Sequence, residues 1–455
     1  MIKILSISIL LSVAANMASP TASSDQADHY TPDQIKADLD GWMQWLHITH
    51  PKLTYTIKDI DEFYAQVEKI RAGITGPLSR RDLWRKLTPL NKTLSDAHLM
   101  VGFQSNEQFL KKELTHGVKL FPFDVAVSEH NELIIVGKTD DRGAEFSGFK
   151  ITSVNGVATK ELLPEILQRQ NGDTDLHRRI LAGKRWSFLY LATFGSADAF
   201  NLVLEKNGKA QKISVSGHSD IQKTIYRTNN FEDVYSCKVG GNKTAYVKVG
   251  DFYWHDFDEY LAFMDSCFTK LKQAGTQKLV MDIRENGGGD DKFWIQGVMK
   301  YVAHVPYRHA SAYQVRILAG SRDPGEVVGE VVAGELTGLR QPVKDVKNKF
   351  GGDFYLLVGP YTYSSAILFS NAVKDHAIGT MVGTPTAGKR GQTGGTQRYI
   401  FPNTGLKAVS PRFILQPPAG GDSHASVGVD IPLDTDGMDA GTALEVFMQA
   451  LDASE

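Results

Sequence analysis

The sequence predicts an α/β catalytic domain in its C-terminal half, preceded by a helical N-terminal region and a small α+β module. Three observations predict it. From about Tyr226 onward, short apolar strand-like runs alternate with helix-length stretches, and Lys278 to Ile283 is nearly all apolar, as in a parallel strand buried on both faces. Between about Gly117 and Gly217 the protein reads instead as short alternating strands with turn signals. From Ile35 to Leu90 apolar residues recur at helical spacing. At 455 residues the protein is long enough for two or three domains.

Taken in order, Met1-Ile2-Lys3 supplies a short positive start, and Ile4 to Ala15 is an unbroken run of apolar and small residues followed by Ala18. The run is too short to span a bilayer, so residues 1–18 are expected to be a cleaved signal peptide and the protein to be exported, periplasmic or secreted. Residues 30–110 form the helical region, opening at Thr31-Pro32-Asp33 with breaks at His50-Pro51 and Gly76-Pro77. Residues 115–220 form the α+β module, in which Gly148 to Gly156 reads as a strand ending in an Asn-Gly turn. Residues 221–455 form the catalytic domain: a strand at Thr244 to Val249, a helix at Asp256 to Ala274, strands at Lys278 to Ile283 and Phe354 to Val358, a helix at Ser364 to Val373 and a strand at Thr380 to Val382.

The 50 basic and 52 acidic side chains give a formal net charge of −2, which offers no electrostatic case for nucleic acid or an anionic membrane surface. No segment after the leader is long and apolar enough to span a membrane. Cys237 and Cys267 are read as two buried thiols on neighbouring elements, with a disulfide as the alternative that export permits. Two cysteines without a His cluster give no metal site, and no cofactor is expected.

Two loops follow the ends of buried strands, where open α/β sheets place their sites. Gly287-Gly288-Gly289 follows Asp282-Ile283-Arg284 and lets backbone N–H groups line a cradle for an oxyanion. Tyr361-Thr362-Tyr363-Ser364-Ser365-Ala366 links a strand to a helix; a Ser there is ordinarily a cap, and acts as a nucleophile only beside a base. Lys389, in Thr386-Ala387-Gly388-Lys389-Arg390-Gly391-Gln392, lies 25 residues after Ser364 and returns to the same sheet edge. A lysine serves as base when burial lowers its pKa.

Asp-Ile-Arg-Glu-Asn-Gly-Gly-Gly at 282–289 resembles the Asp-Leu-Arg-x-Asn-x-Gly-Gly signature of the S41 peptidases, the C-terminal processing or tail-specific proteases. Tyr363-Ser364-Ser365-Ala366 is similar to their nucleophile turn, and Asp375, Thr386 and Gly388-Lys389 follow at family spacing. The resemblance implies a ClpP/crotonase-like catalytic domain, Ser364 as nucleophile, Lys389 as base, Gly288, Gly289 and the Ser365 N–H as oxyanion hole, and Asp375 and Thr386 in support. It also implies that the middle module is a divergent PDZ-like domain and that the substrate is a polypeptide cleaved through an acyl-enzyme.

The sequence departs from the processing proteases at two places. Ile367 stands where they carry Glu, and Gln392 lies three residues after the Lys rather than four, with Thr393 in the expected place. A second branch of the family pairs Ser with His, which makes His98, in Leu94-Ser95-Asp96-Ala97-His98, the alternative base. Ser365 is the fallback nucleophile. Rival readings are a peptide-binding homologue of weak activity and a hydrolase of small esters or amides on the same fold.

Overall fold

Burial on both faces is what turns the apolar runs of the C-terminal half into a parallel sheet. The computed structural model describes residues 29–137, 144–222, 230–240, 243–433 and 440–453, so the expected signal peptide lies outside the described residues. Two units emerge. One comprises Met1–Ile48, Lys52–Arg227 and Thr396–Ser410, and the other Thr49–Pro51, Thr228–Gly395 and Pro411–Glu455.

In the second unit, six strands run in the order Tyr235–Val239, Thr244–Val249, Lys278–Asp282, Asp353–Val358, Thr380–Gly383, Ile431–Pro432. All neighbours are parallel except the first pair. Alternation along the strands sends Val280, Leu357 and Val382 to one face, where Phe447 and Leu451 of the helix Ala440–Ala453 cover them. A second, antiparallel sheet orders Val331–Glu335, Ala312–Arg316, Phe413–Leu415 and Gln392–Gly394. The two cysteines, expected as thiols, form a disulfide instead. Cys237 on the outer strand and Cys267 on the helix Phe257–Gln273 are brought to a Cα separation of 6.0 Å, within the usual reach of a bridge.

The first unit begins with helices Pro32–Thr49, Ile60–Ala72, Arg80–Leu87 and Leu90–Leu94. Asp59 and Ser79 cap the second and third through side-chain bonds to Glu62 and Asp82 N–H groups. An antiparallel sheet follows, ordered Asp124–Val127, Leu133–Gly137, Lys150–Val154, Ala199–Lys206, Lys209–Ser216, with Val157–Ala158 also on Lys150–Val154. Asn155 and Gly156 both take positive φ, forming the tight turn read from the sequence. The helices Asp175–Lys184 and Trp186–Phe194 were not foreseen; the second is almost wholly buried, so it carries no helical periodicity to betray it. The hairpin Gln397–Ile400 and Lys407–Ser410, expected in the catalytic domain, instead pairs with Met100–Gly102 in this unit.

Candidate active site

The loop after strand Lys278–Asp282 is fastened before it reaches its glycines. Asp282 accepts from Arg284 Nη2 at 2.7 Å, from the Arg284 amide at 2.9 Å and from Tyr246 Oη at 2.7 Å. Burial and the Asp282 carboxylate both push the Tyr246 phenol up, so it stays a donor. Fully buried Asn286 then donates to Val249 O at 3.1 Å and accepts the Gly288 N–H at 2.8 Å.

That last bond corrects one expectation. The Gly288 amide is committed to Asn286 and is not available to an oxyanion. Its role is steric: φ is 103°, and a Cβ there would lie 2.5 Å from Ser364 Cβ and 3.0 Å from Ser365 N. Gly289 is forced by the same logic, since a Cβ would run into Phe252 O. The Gly289 and Ser365 amides have no acceptor among the described residues.

The strand Asp353–Val358 leads into the serine turn, which is lashed to the glycine loop. Thr362 Oγ1 donates to Ile283 O at 2.9 Å, and Tyr363 N–H to Asn286 O at 3.1 Å. Ser364 sits at φ 55°, ψ −126°, a backbone shape L-residues rarely adopt, immediately before the helix Ser365–Asp375. It occupies the cap position, yet its side chain makes no cap hydrogen bond. The ordinary reading of this serine is thereby removed. Ser364 is also partly exposed while Thr362, Tyr363 and Ser365 are buried. A strained serine on a sharp strand-to-helix turn is how such folds present a nucleophile.

Ser365, the fallback nucleophile of the sequence reading, is tied down by its own bonds. Its hydroxyl is buried, donates to Asp291 Oδ1 and accepts from Trp294 Nε1 at 3.1 Å, while Trp294 Nε1 also reaches Asp291 at 3.1 Å. Asp291 and Trp294, which sequence reasoning passed over, thus hold the Ser365 turn; the only signal was an acid opening the helix after the glycines.

The Lys389 segment is held beside the same helix. A Cβ at Gly388 would meet the Tyr363 ring at 2.6 Å, and Ala387 N–H reaches Pro360 O at 3.3 Å. On the far side of Lys389, Arg390 pairs with buried Asp375 and bonds Asn371 Oδ1 at 3.1 Å. Asp375 therefore anchors this segment. Thr386 ties it to Val427 at 3.0 Å, and Lys389 itself bridges Ser426. Buried Gln392 donates to Lys389 O, steadying the backbone. Ile367, in place of Glu, is buried against Gly388.

His98 lies in the first unit on a turn braced by polar groups. Asp96 accepts its amide at 2.7 Å and stands 3.9 Å from Nδ1, Asp173 accepts the Ala97 amide at 3.0 Å, and Asn171 donates to Ala97 O at 2.6 Å. Nearby His177 is pushed down to about 4, mainly by burial. Among the described residues no group of three or more His, Cys, Asp or Glu could hold a metal, and no helix is long and apolar enough to cross a membrane.

A serine turn clasped by a glycine loop at the ends of parallel strands is an arrangement that acyl-transfer hydrolases use. Residues 243–430 match the model of peptidase family S41, so this protein has a domain of that family and is a serine peptidase. Among solved structures, mature CPAF complexed with lactacystin is similar at 13% identity and TM-score 0.63, over 93% of the present protein and 98% of that one. Mature CPAF gives 13% and 0.64, over 92% and 96%. These two share the fold. No curated protein sequence matches.

Proposed function

We propose that this protein is an exported serine endopeptidase that hydrolyses polypeptides through an acyl-enzyme on Ser364. The observation that carries the reading is a serine in strained backbone at a helix start that forgoes the cap, closed on by Gly288. Lys389 is the base in this reading, supported by the anchoring of its segment on Tyr363 and Asp375. Its amine takes the Ser364 Oγ proton as Oγ bonds to the scissile carbonyl carbon. The oxyanion accepts from the Gly289 and Ser365 amides. The lysine ammonium then protonates the departing amine, and the C–N bond breaks. Water, deprotonated by the same amine, attacks the ester, releasing the acid and restoring Ser364.

In the same reading the parallel core is of ClpP/crotonase-like type. The antiparallel module is PDZ-like and takes extended peptide by strand addition. A second reading assigns the base to His98, favoured by the Asp96 carboxylate beside its imidazole, the base-and-orienter pairing of hydrolases. The test is degradation of an unfolded protein by wild type, Ser364→Ala, Lys389→Ala and His98→Ala. Loss in the first two with activity kept in His98→Ala supports the Ser–Lys reading. Full activity in Lys389→Ala with loss in His98→Ala transfers the base, and activity in Ser364→Ala overturns both.

A further inference from the structure

The helix that follows the glycine loop is irregular. It runs as an α-helix over Asp291–Trp294, widens to a π turn over Ile295–Met299, and resumes as Lys300–Val302. Such widenings recur at functional sites, because they re-aim side chains that a regular helix would stagger. Here the widened turn lines a cavity of about 350 Å³, whose walls include Leu261, Tyr301 and Tyr307 and whose polar lining includes Gln296, Lys300 and Arg340. That volume suits one side chain or peptide terminus rather than a large cofactor.

The charge in this cavity is one-sided. Among the described residues, none that lines it is acidic. Arg340 is fixed by reciprocal backbone bonds with Tyr307, at 3.0 and 2.7 Å, yet its guanidinium joins no ion pair among the described residues. Lys300 lies 5.0 Å from the centre of the Tyr301 ring and likewise has no carboxylate partner among them. Two cations, Lys300 half-buried and Arg340 exposed, stand at a largely apolar-walled hollow with no acidic side chain in its lining, and so offer an anionic ligand two positive contacts.

The cavity wall also packs toward the serine turn. The Tyr307 ring lies 6.4 Å from the Trp294 ring, and Trp294 Nε1 donates to Ser365 Oγ at 3.1 Å. One indole thus separates the cavity wall from the residue next to Ser364.

We propose that this cavity is a substrate subsite that takes a carboxylate of the polypeptide on Lys300 and Arg340, with its aliphatic stem against Leu261 and the tyrosines. The proposal rests on the peptidase reading. The carboxylate comes either from the C-terminus of the substrate or from an Asp or Glu side chain. Three labelled peptides of one sequence distinguish these sources: free C-terminus, amidated C-terminus, and amidated C-terminus with an added Glu. Each is titrated by fluorescence anisotropy against the Ser364→Ala protein with and without Lys300→Gln and Arg340→Gln, and its cleavage is followed in the Ser364-intact proteins. Each charge removal should weaken a carboxylate-bearing peptide by about tenfold, the size of one charge-assisted hydrogen bond. KM should rise to match, with kcat unchanged and the plain amidated peptide unaffected. Equal affinity of all three peptides for the intact cavity, or equal weakening of all three in the variants, overturns the proposal. Anisotropy reads the cavity even if nothing is cleaved, so failure of the peptidase reading and failure of the subsite are separable.

Discussion

The Ser364 turn and the Lys389 segment both follow C-terminal ends of neighbouring parallel strands, and each has a glycine close by, Gly288 against Ser364 and Gly388 beside Lys389, but they are built differently. The serine turn holds a non-glycine residue at positive φ, declines its cap, and leaves the Ser365 and Gly289 amides without acceptors among the described residues. The lysine segment is fastened by ordinary bonds, from its backbone and its side chains: Val427 N–H to Thr386, Arg390 to Asp375, Gln392 to Lys389 O. Strain and backbone donors without acceptors among the described residues mark a place organised for chemistry, whereas satisfied bonds equally suit a structural loop. The nucleophile can therefore be argued from its own geometry. The base draws its case from its neighbours.

The largest expected effect falls on the serine. Ser364→Ala and Ser364→Gly should each lower kcat/KM by at least about 10⁴-fold in peptide hydrolysis. Only the glycine variant should gain stability, by about 1 kcal/mol in denaturant unfolding, because it alone relieves the positive φ. Equal stability of the two would mean the turn stores no strain. On the lysine side, Lys389→Ala should lower kcat by about 10²- to 10⁴-fold if it is the base. Arg390→Met leaves Asp375 buried without its cation and should cost about 3 kcal/mol of stability, read as a lower denaturation midpoint. A full kcat in Lys389→Ala beside a destabilised Arg390→Met would make the segment purely structural.

Gly288→Ala drives a methyl into Ser364 and should reduce kcat about 100-fold by displacing the oxyanion amides, with KM little changed. Asp291→Asn keeps the shape but removes the charge that Ser365 and Trp294 share, and should lower kcat about tenfold, the scale of one charge-assisted bond. A smaller effect concerns the polar turn of His98. His177 has a folded pKa of about 4 against an ordinary 6.5, so the folded state binds its proton less readily than the unfolded state does. Its contribution is full above pH 6.5 and erodes as pH falls toward 4, amounting to about 1 kcal/mol by pH 5.5. Buried His50, pushed down to about 3 by burial and Arg316, acts with the same sign. His177→Gln should flatten its share of the slope in unfolding midpoints measured between pH 7 and 5.

The parallel strands were legible because burial on both faces demands continuous apolar runs, and Thr244–Val249 falls where the sequence placed it. The serine turn and glycine loop were legible as a pair of strand-end loops. What escaped depended on long-range contact. Nothing local marks Ser365 as held by Asp291 across 74 residues. The hairpin at 397–410 belongs with Met100–Gly102 through pairing some 300 residues away in sequence, beyond any periodicity. The disulfide needed the outer strand and helix brought side by side, which spacing alone could not supply.

The most direct test of the central claim is to label the protein with a serine-directed acylating probe and locate the adduct by mass spectrometry. The account predicts a single adduct on Ser364, absent from Ser364→Ala and undiminished in Ser365→Ala that retains its fold. An adduct on Ser365, or labelling that survives in Ser364→Ala, would contradict it.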